Sequence, residues 1–98
     1  MNMQALMQQA QKMQRDINKK KDELNKKEFV GSSELVEVKF TGDKKLVSVN
    51  IKIDDLSNDD KEIIEDMFTI AVNDAMNKID KETESMLGAY GNQLNGLL

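Results

Sequence analysis

The chain has 98 residues, with 14 Lys plus Arg, 18 Asp plus Glu and a net charge of −4, and a chain of this length forms one domain with a modest core. It contains neither Cys nor His, which excludes disulfides, thiolate nucleophiles, Cys-based zinc sites and the commonest general base. No apolar run approaches the roughly 20 residues that cross a bilayer, and the N-terminus lacks a basic leader followed by a hydrophobic block. These features predict a cytoplasmic protein without a membrane partner.

The first element is predicted to be a long helix, because apolar residues near the N-terminus follow heptad spacing without Gly or Pro. The apolar positions are Met3, Leu6, Ala10, Met13, Ile17 and Leu24. Lys20 interrupts this seam between Ile17 and Leu24, and Lys27 takes the position after Leu24, although apolar residues are expected at both. The spacing therefore predicts a helix that packs a narrow stripe against another helix and projects at its C-terminal end.

The middle of the chain changes to a period of two, which is typical of half-buried strands. Val36, Val38 and Phe40 share one face of the first such segment, and turn residues follow at 41–44. Alternating apolar residues at 47, 49, 51 and 53 predict a second strand that completes a hairpin. The short run at residues 28–30 predicts a third strand ahead of this hairpin.

A second long helix is predicted for residues 59–87, capped by Ser57 or Asn58 and ended by Gly88. It would be about 43 Å long. The apolar face of its first half is wider than a small sheet covers, which predicts a homodimer with a shared core. Residues 1–88 are thus predicted to form a single dimerising domain, and residues 89–98 a flexible C-terminal tail.

The first helix is the only basic element of an otherwise acidic chain. Residues 1–30 hold seven basic and four acidic side chains, whereas the remainder holds seven basic and fourteen acidic ones. Lys12, Arg15, Lys19 and Lys26 lie along one helix face over about 21 Å, with Lys20 nearby. Such a stripe can bind the phosphates of duplex DNA without reading sequence.

The interpretation that charge alone favours is a solvated helix face with i,i+4 ion pairs. The pairs would be Lys12 with Asp16, Lys19 with Glu23, and Glu23 with Lys27. The overall acidity also opposes DNA binding. Charge alone leaves weak, salt-sensitive binding to duplex DNA open as the second interpretation.

The sequence contains no convincing catalytic or metal site. The acids at 54–55 and 59–60 lack the central Gly of a calcium loop and are explained by helix capping. The serines have no His to activate them. The prediction is a protein that is not an enzyme and uses neither metal nor cofactor.

Several segments together resemble the YbaB/EbfC family of bacterial nucleoid-associated DNA-binding proteins. They are MQALMQQAQKMQ at 3–14, FTG at 40–42, VNI at 49–51, and DKE, ED and NDA at 60–62, 65–66 and 73–75, with Ala71. The resemblance covers residues 3 to about 80. Two departures are GSSE at 31–34, where the family is glycine-rich, and the absence of a proline-rich tail.

The resemblance implies an α+β fold with an α-β-β-β-α subunit, a small antiparallel sheet and two long helices, assembled as a tweezer-like homodimer. It also implies loosely sequence-selective binding of double-stranded DNA in the nucleoid. Lys12 lies inside the opening motif, whereas Arg15, Lys19, Lys20 and Lys26 are assigned to the DNA surface from charge geometry. The alternative is a non-enzymatic interaction module whose projecting helices and Leu97-Leu98 end hold a protein partner.

Overall fold

The computed structural model describes the backbone of residues 2–97 and the side chains of residues 2–91. Helix α1 spans Met3–Lys26, strands β1, β2 and β3 span Glu28–Ser32, Val36–Thr41 and Leu46–Ile51, and helix α2 spans Lys61–Leu97 after one 3-10 turn at Asn58–Asp60. The predicted α-β-β-β-α order is confirmed.

Helix α1 begins at a side-chain cap and ends where the chain turns into the sheet. The Oδ1 atom of Asn2 accepts a hydrogen bond of 3.0 Å from the backbone N–H of Gln4, which satisfies one free donor of the first turn. Met13 and Leu24 are the residues of α1 that become buried. The narrow seam predicted from heptad spacing therefore makes contact mainly near the C-terminal half of the helix.

The three strands form one antiparallel sheet in the order β1-β2-β3. Phe29 pairs with Phe40, and Val38 lies between Gly31 and Val49, so these residues share one face. Strand β2 alternates strictly between buried and half-buried residues, as its period of two predicts. The predicted third strand is confirmed and extends two residues beyond Val30.

Ser57 caps the 3-10 turn ahead of α2, and its backbone N–H and hydroxyl both donate to Oδ2 of Asp60 at 3.0 and 3.1 Å. Helix α2 itself begins at Lys61, two residues later than predicted. The predicted end at Gly88 is wrong, because the helix continues to Leu97 and is about 56 Å long. A single Gly costs a helix only about 1 kcal/mol, too little to end it. The flexibility of residues 89–98 stays a prediction, and Leu98 lies outside the described residues.

The core lies between α2 and the first two strands. Val36, Val38 and Ile79 are almost completely buried, and Ala71 and Ala75 have no exposed surface. These small side chains let α2 approach the sheet so closely that a Cβ atom at Gly31 would lie 2.1 Å from the carbonyl oxygen of Ala71. Sequence alternation and small helix residues together fix this two-layer packing.

The molecule is elongated, with extents of 70 × 19 × 12 Å. Helix α1 is attached at its C-terminal end, where Leu24 is buried in the core and the N–H of Gly42 donates to the carbonyl of Lys27 at 2.9 Å. The predicted projection of the C-terminal end is therefore wrong, and the part of α1 without buried residues is its N-terminal part, residues 3–12. The lysines at the weak end of the seam turn toward polar partners rather than away from the protein.

Candidate nucleic-acid interface

Four basic residues form a continuous stripe on the outer face of α1. Lys12, Arg15, Lys19 and Lys26 are all exposed. At 100° per residue, their mean direction lies about 140° around the helix axis from the direction of buried Met13 and Leu24. We call these four residues the basic stripe. It faces away from the rest of the protein and is accessible along its whole length of about 21 Å.

The residues of the basic stripe form no ion pair among the described residues, although Asp22 and Glu23 line the same surface as Arg15, Lys19 and Lys26. The ion pairs there involve Lys20, Lys27, Lys39, Lys44, Lys45, Lys52 and Lys78. None of the four stripe residues lies in such a pair. The Lys12–Asp16 and Lys19–Glu23 pairs of a solvated helix face are not formed within this part of the chain, so the stripe keeps its charge available for a ligand.

Lys20 lies on a different side of α1 from the stripe. Its direction is about 110° around the axis from the stripe, and its ammonium group lies 3.5 Å from the carboxylate of Glu23. Together with Glu82, Met86 and Tyr90 of α2, Lys20 lines an open groove between the two helices. The structure thus divides the predicted DNA-binding residues into a stripe of four and one separate lysine.

Asp74 has a clear structural role that sequence patterns did not reveal. Its Oδ2 atom accepts a hydrogen bond of 3.0 Å from the N–H of Ser32 and lies 3.3 Å from the ammonium group of Lys78. That ammonium also donates to the carbonyl of Val30 at 2.7 Å. The backbone N–H of Ser32, and after it Lys78, lowers the pKa of Asp74 below its ordinary value. This network ties α2 to β1, and only the sheet register could have predicted it.

A second surface feature is an apolar face that the protein itself leaves uncovered. Val49 and Ile51 of β3 lie beside buried residues of β2 but are 42% and 37% exposed, because α2 lies over β1 and β2. Helix α2 also has exposed apolar residues at Ile63, Phe68 and Ile70, with Phe68 about 150° around the helix axis from the other two. Exposed apolar residues of β3 that lie beside a buried strand are a candidate protein interface.

The described residues contain no cluster of three or more acids, Cys or His placed to hold a metal ion. The acid Asp60 instead caps the chain ahead of α2, as the sequence suggested. Within the described part of the chain, neither long helix has an apolar stretch that could cross a membrane.

The fold and surface define a class of small α+β proteins that present an exposed basic helix beside a helix-covered sheet. The chain belongs to the YbaB/EbfC DNA-binding family, whose sequence profile matches residues 1–94. The resemblance of the opening helix, hairpin turn and second helix to this family is therefore confirmed.

Relatives extend over nearly the whole chain. A nucleoid-associated protein of Ligilactobacillus salivarius is 44% identical and covers 99% of this chain and 95% of its own length. Nucleoid-associated proteins of Streptococcus suis and Enterococcus faecalis are 47% and 43% identical, covering 96% and 97% of this chain and 97% and 93% of their own. The crystal structure of the uncharacterized protein HP0035 from Helicobacter pylori has a TM-score of 0.75 and 21% identity, and covers 91% of this chain and 96% of that one. That structure supports the fold.

Proposed function

We propose that the protein is a non-enzymatic, nucleoid-associated protein that binds double-stranded DNA as a homodimer. The observation that carries this proposal is the exposed basic stripe, whose four cations have no ion-pair partner among the described residues. Membership of a DNA-binding family and the names of the relatives support it.

The proposed mechanism is neutralisation of backbone phosphates by the stripe. Duplex DNA carries about one negative charge per 1.7 Å of axis, so a stripe of about 21 Å faces several phosphates. Lys and Arg side chains there release condensed counterions, which drives binding and makes it dependent on salt. Phosphate contacts carry no direct sequence information, which accounts for the loose sequence preference that we propose.

Dimerisation is proposed from the uncovered apolar face. Strand β3 is an edge strand, and its residues Val49 and Ile51 lack the helix cover that β2 has. A second copy placed by two-fold symmetry would cover this face with its own identical apolar surface and pair or shield the free edge. The dimer would carry two basic stripes and so double the number of phosphate contacts.

Fluorescence anisotropy with a labelled duplex of about 30 base pairs tests DNA binding. Such a duplex is roughly 100 Å long, which exceeds the 70 Å length of the protein. Binding should weaken steeply as salt rises, and unlabelled competitor duplexes of different sequence should compete to a similar extent. Absence of binding at low salt would contradict the proposal.

A matched pair of variants distinguishes the effect of the basic stripe on DNA binding from the effect of net charge. The stripe variant replaces Lys12, Arg15, Lys19 and Lys26 by Gln. The control variant removes the same charge elsewhere, through Gln at Lys39, Lys45, Lys52 and Lys81. The stripe variant should lose affinity and salt dependence while staying dimeric. Equal losses in both variants would show that net charge alone, and not this surface, governs binding.

The alternative of a protein-interaction module is favoured by one observation. Met3 and Met7 near the projecting end of α1 are 72% and 59% exposed, and apolar side chains of this kind suit a protein contact. Size-exclusion chromatography of nuclease-treated lysate distinguishes the two functions. A partner that stays bound to the wild type but not to a Met3→Gln, Met7→Gln variant supports the module, whereas loss of every partner after nuclease treatment counts against it.

A further inference from the structure

Gly42 lies in the β2–β3 turn at a position where the turn itself does not need glycine. The turn is closed by hydrogen bonds from Thr41 N–H to the Lys45 carbonyl at 2.9 Å and from Lys44 N–H to the Thr41 carbonyl at 2.8 Å. The left-handed backbone conformation, which favours glycine, is adopted by Lys44 with a φ of 66°. The φ of Gly42 lies outside this region. Backbone conformation therefore does not explain the glycine.

The close approach of α1 does explain it. A Cβ atom at residue 42 would lie 1.8 Å from the carbonyl oxygen of Leu24 and 2.6 Å from its carbonyl carbon. The N–H of Gly42 also donates to the carbonyl of Lys27 at 2.9 Å. The last turn of α1 thus rests directly on the backbone of residue 42, and any side chain there would push the helix away.

Two ion pairs join α2 to the same junction. The ammonium of Lys27 lies 2.5 Å from the carboxylate of Glu82, and that of Lys44 lies 3.4 Å from the carboxylate of Asp80. Lys27 also lies over the ring of Phe29, 5.5 Å from its centroid. Beyond this junction Met13 is the one residue of α1 that is buried among the described side chains. The direction of the helix therefore depends on the geometry at its base together with the contact at Met13.

We propose that Gly42 is a positioning residue that sets the direction of α1 and thereby aims the basic stripe at DNA. The expected effect on DNA binding rests on the proposed function, whereas the effect of Gly42 on the direction of α1 does not depend on it. Gly42 of the Phe40-Thr41-Gly42 segment thus has a role other than forming the turn.

The expected displacement follows from the length of the helix. Relieving the contact from 1.8 Å to about 3.2 Å moves the end of α1 by about 1.4 Å. If α1 rotates about a pivot one helix diameter, roughly 10 Å, from this contact, its axis tilts by about 8°. Gln8 lies about 24 Å along the axis from Leu24, so it would move by about 3 Å.

Pulsed electron–electron spin resonance measures this movement without using DNA. The chain has no native Cys, so spin labels can be attached at Gln8→Cys on α1 and Asn50→Cys on β3, both exposed positions. Labelled protein is diluted into excess unlabelled protein so that each dimer carries one labelled subunit. The distance is compared with and without Gly42→Ala. Gly88→Ala is the matched control, because a Cβ there meets nothing within 4 Å.

Gly42→Ala should shift the distance between the labels at positions 8 and 50, or broaden its distribution, by about 3 Å. Gly88→Ala should leave this distance unchanged. DNA affinity of the Gly42→Ala dimer should then fall at fixed salt although every stripe residue is intact. A lowered melting temperature with an unchanged distance would reduce Gly42 to a merely structural role and overturn the proposal. A shifted distance in a protein whose wild type binds no DNA would instead overturn the proposed function and retain the geometric role.

A second variant covers the case in which Gly42→Ala does not fold. Lys27→Gln removes the contact with Glu82 at an exposed position, and Lys52→Gln removes a paired lysine of the sheet as the control. Lys27→Gln should broaden the same distance and Lys52→Gln should not. Identical distances in both variants would overturn the proposal.

Discussion

Two neighbouring lysines provide the sharpest test of the basic stripe. Lys19 lies in the stripe and has no ion pair among the described residues, whereas Lys20 is paired with Glu23 at 3.5 Å and faces α2. Lys19→Gln and Lys20→Gln remove the same charge from adjacent positions of the same exposed helix. The two variants therefore differ in the direction of the lost charge around the helix and in the ion pair with Glu23, which only Lys20 forms.

The expected loss of DNA affinity in Lys19→Gln follows from counterion release. Each phosphate contact contributes about 0.9 to the slope of log affinity against log salt, so losing one contact from each subunit of a dimer lowers the slope by about 1.8. At about 0.1 M salt the same loss weakens binding by up to roughly 60-fold. Lys20→Gln should leave both quantities near their wild-type values.

Anisotropy titrations at several salt concentrations measure both variants on the same duplex. Sedimentation equilibrium and thermal unfolding provide the controls that each variant is dimeric and folded. Equal slopes for the two variants, or a larger effect of Lys20→Gln, would refute the assignment of the DNA surface to the outer face of α1.

Three further changes test the dimer, the α2–β1 network and the helix end. Val49→Asp should dissociate the proposed dimer in sedimentation equilibrium because it places a charge in the apolar face, whereas Asn50→Asp on the opposite face should not. The pKa of Asp74 is lowered on folding, so its stabilisation is present above the ordinary value of 3.8 and lost as pH falls through the lower folded pKa. Asp74→Asn should thus lower the free energy of unfolding measured by urea denaturation at pH 7. The difference in this free energy between variant and wild type should become smaller in acid, and a difference that does not change with pH would contradict this. Gly88→Ala should raise stability by up to about 1 kcal/mol, since it lies inside α2 with free space around it, and destabilisation would contradict that placement.

The sequence predicted every element whose signal is a local period. Alternation at Val36, Val38 and Phe40 gave the correct buried face of β2, and heptad spacing gave α1. The errors concern ends and directions. Gly88 looked like a stop, and the weakened seam at Lys20 looked like the projecting end, because local patterns do not contain the contacts that hold either segment.

The same distinction applies to the candidate site. The stripe was predictable because Lys12, Lys19 and Lys26 repeat every seven residues on one face. The position of Lys20 was not, since it depends on where α2 passes α1. The role of Gly42 was equally hidden: the motif identified a turn, but the reason for glycine is the carbonyl of Leu24, a residue eighteen positions earlier in the chain.

The projection of α1 also answers the objection that an acidic protein should repel DNA. The fourteen acids beyond residue 30 belong to the sheet, the connecting segments and α2, whereas the stripe extends away from the junction at Leu24. Lys12 lies about 18 Å along α1 from that residue, which exceeds the screening length of about 8 Å at physiological ionic strength. Repulsion from the acidic body is therefore largely screened at the outer stripe, while direct phosphate contacts there are not. A net charge of −4 is thus compatible with DNA binding because fourteen of the eighteen acids lie beyond residue 30, whereas α1 itself carries only Asp16, Asp22 and Glu23.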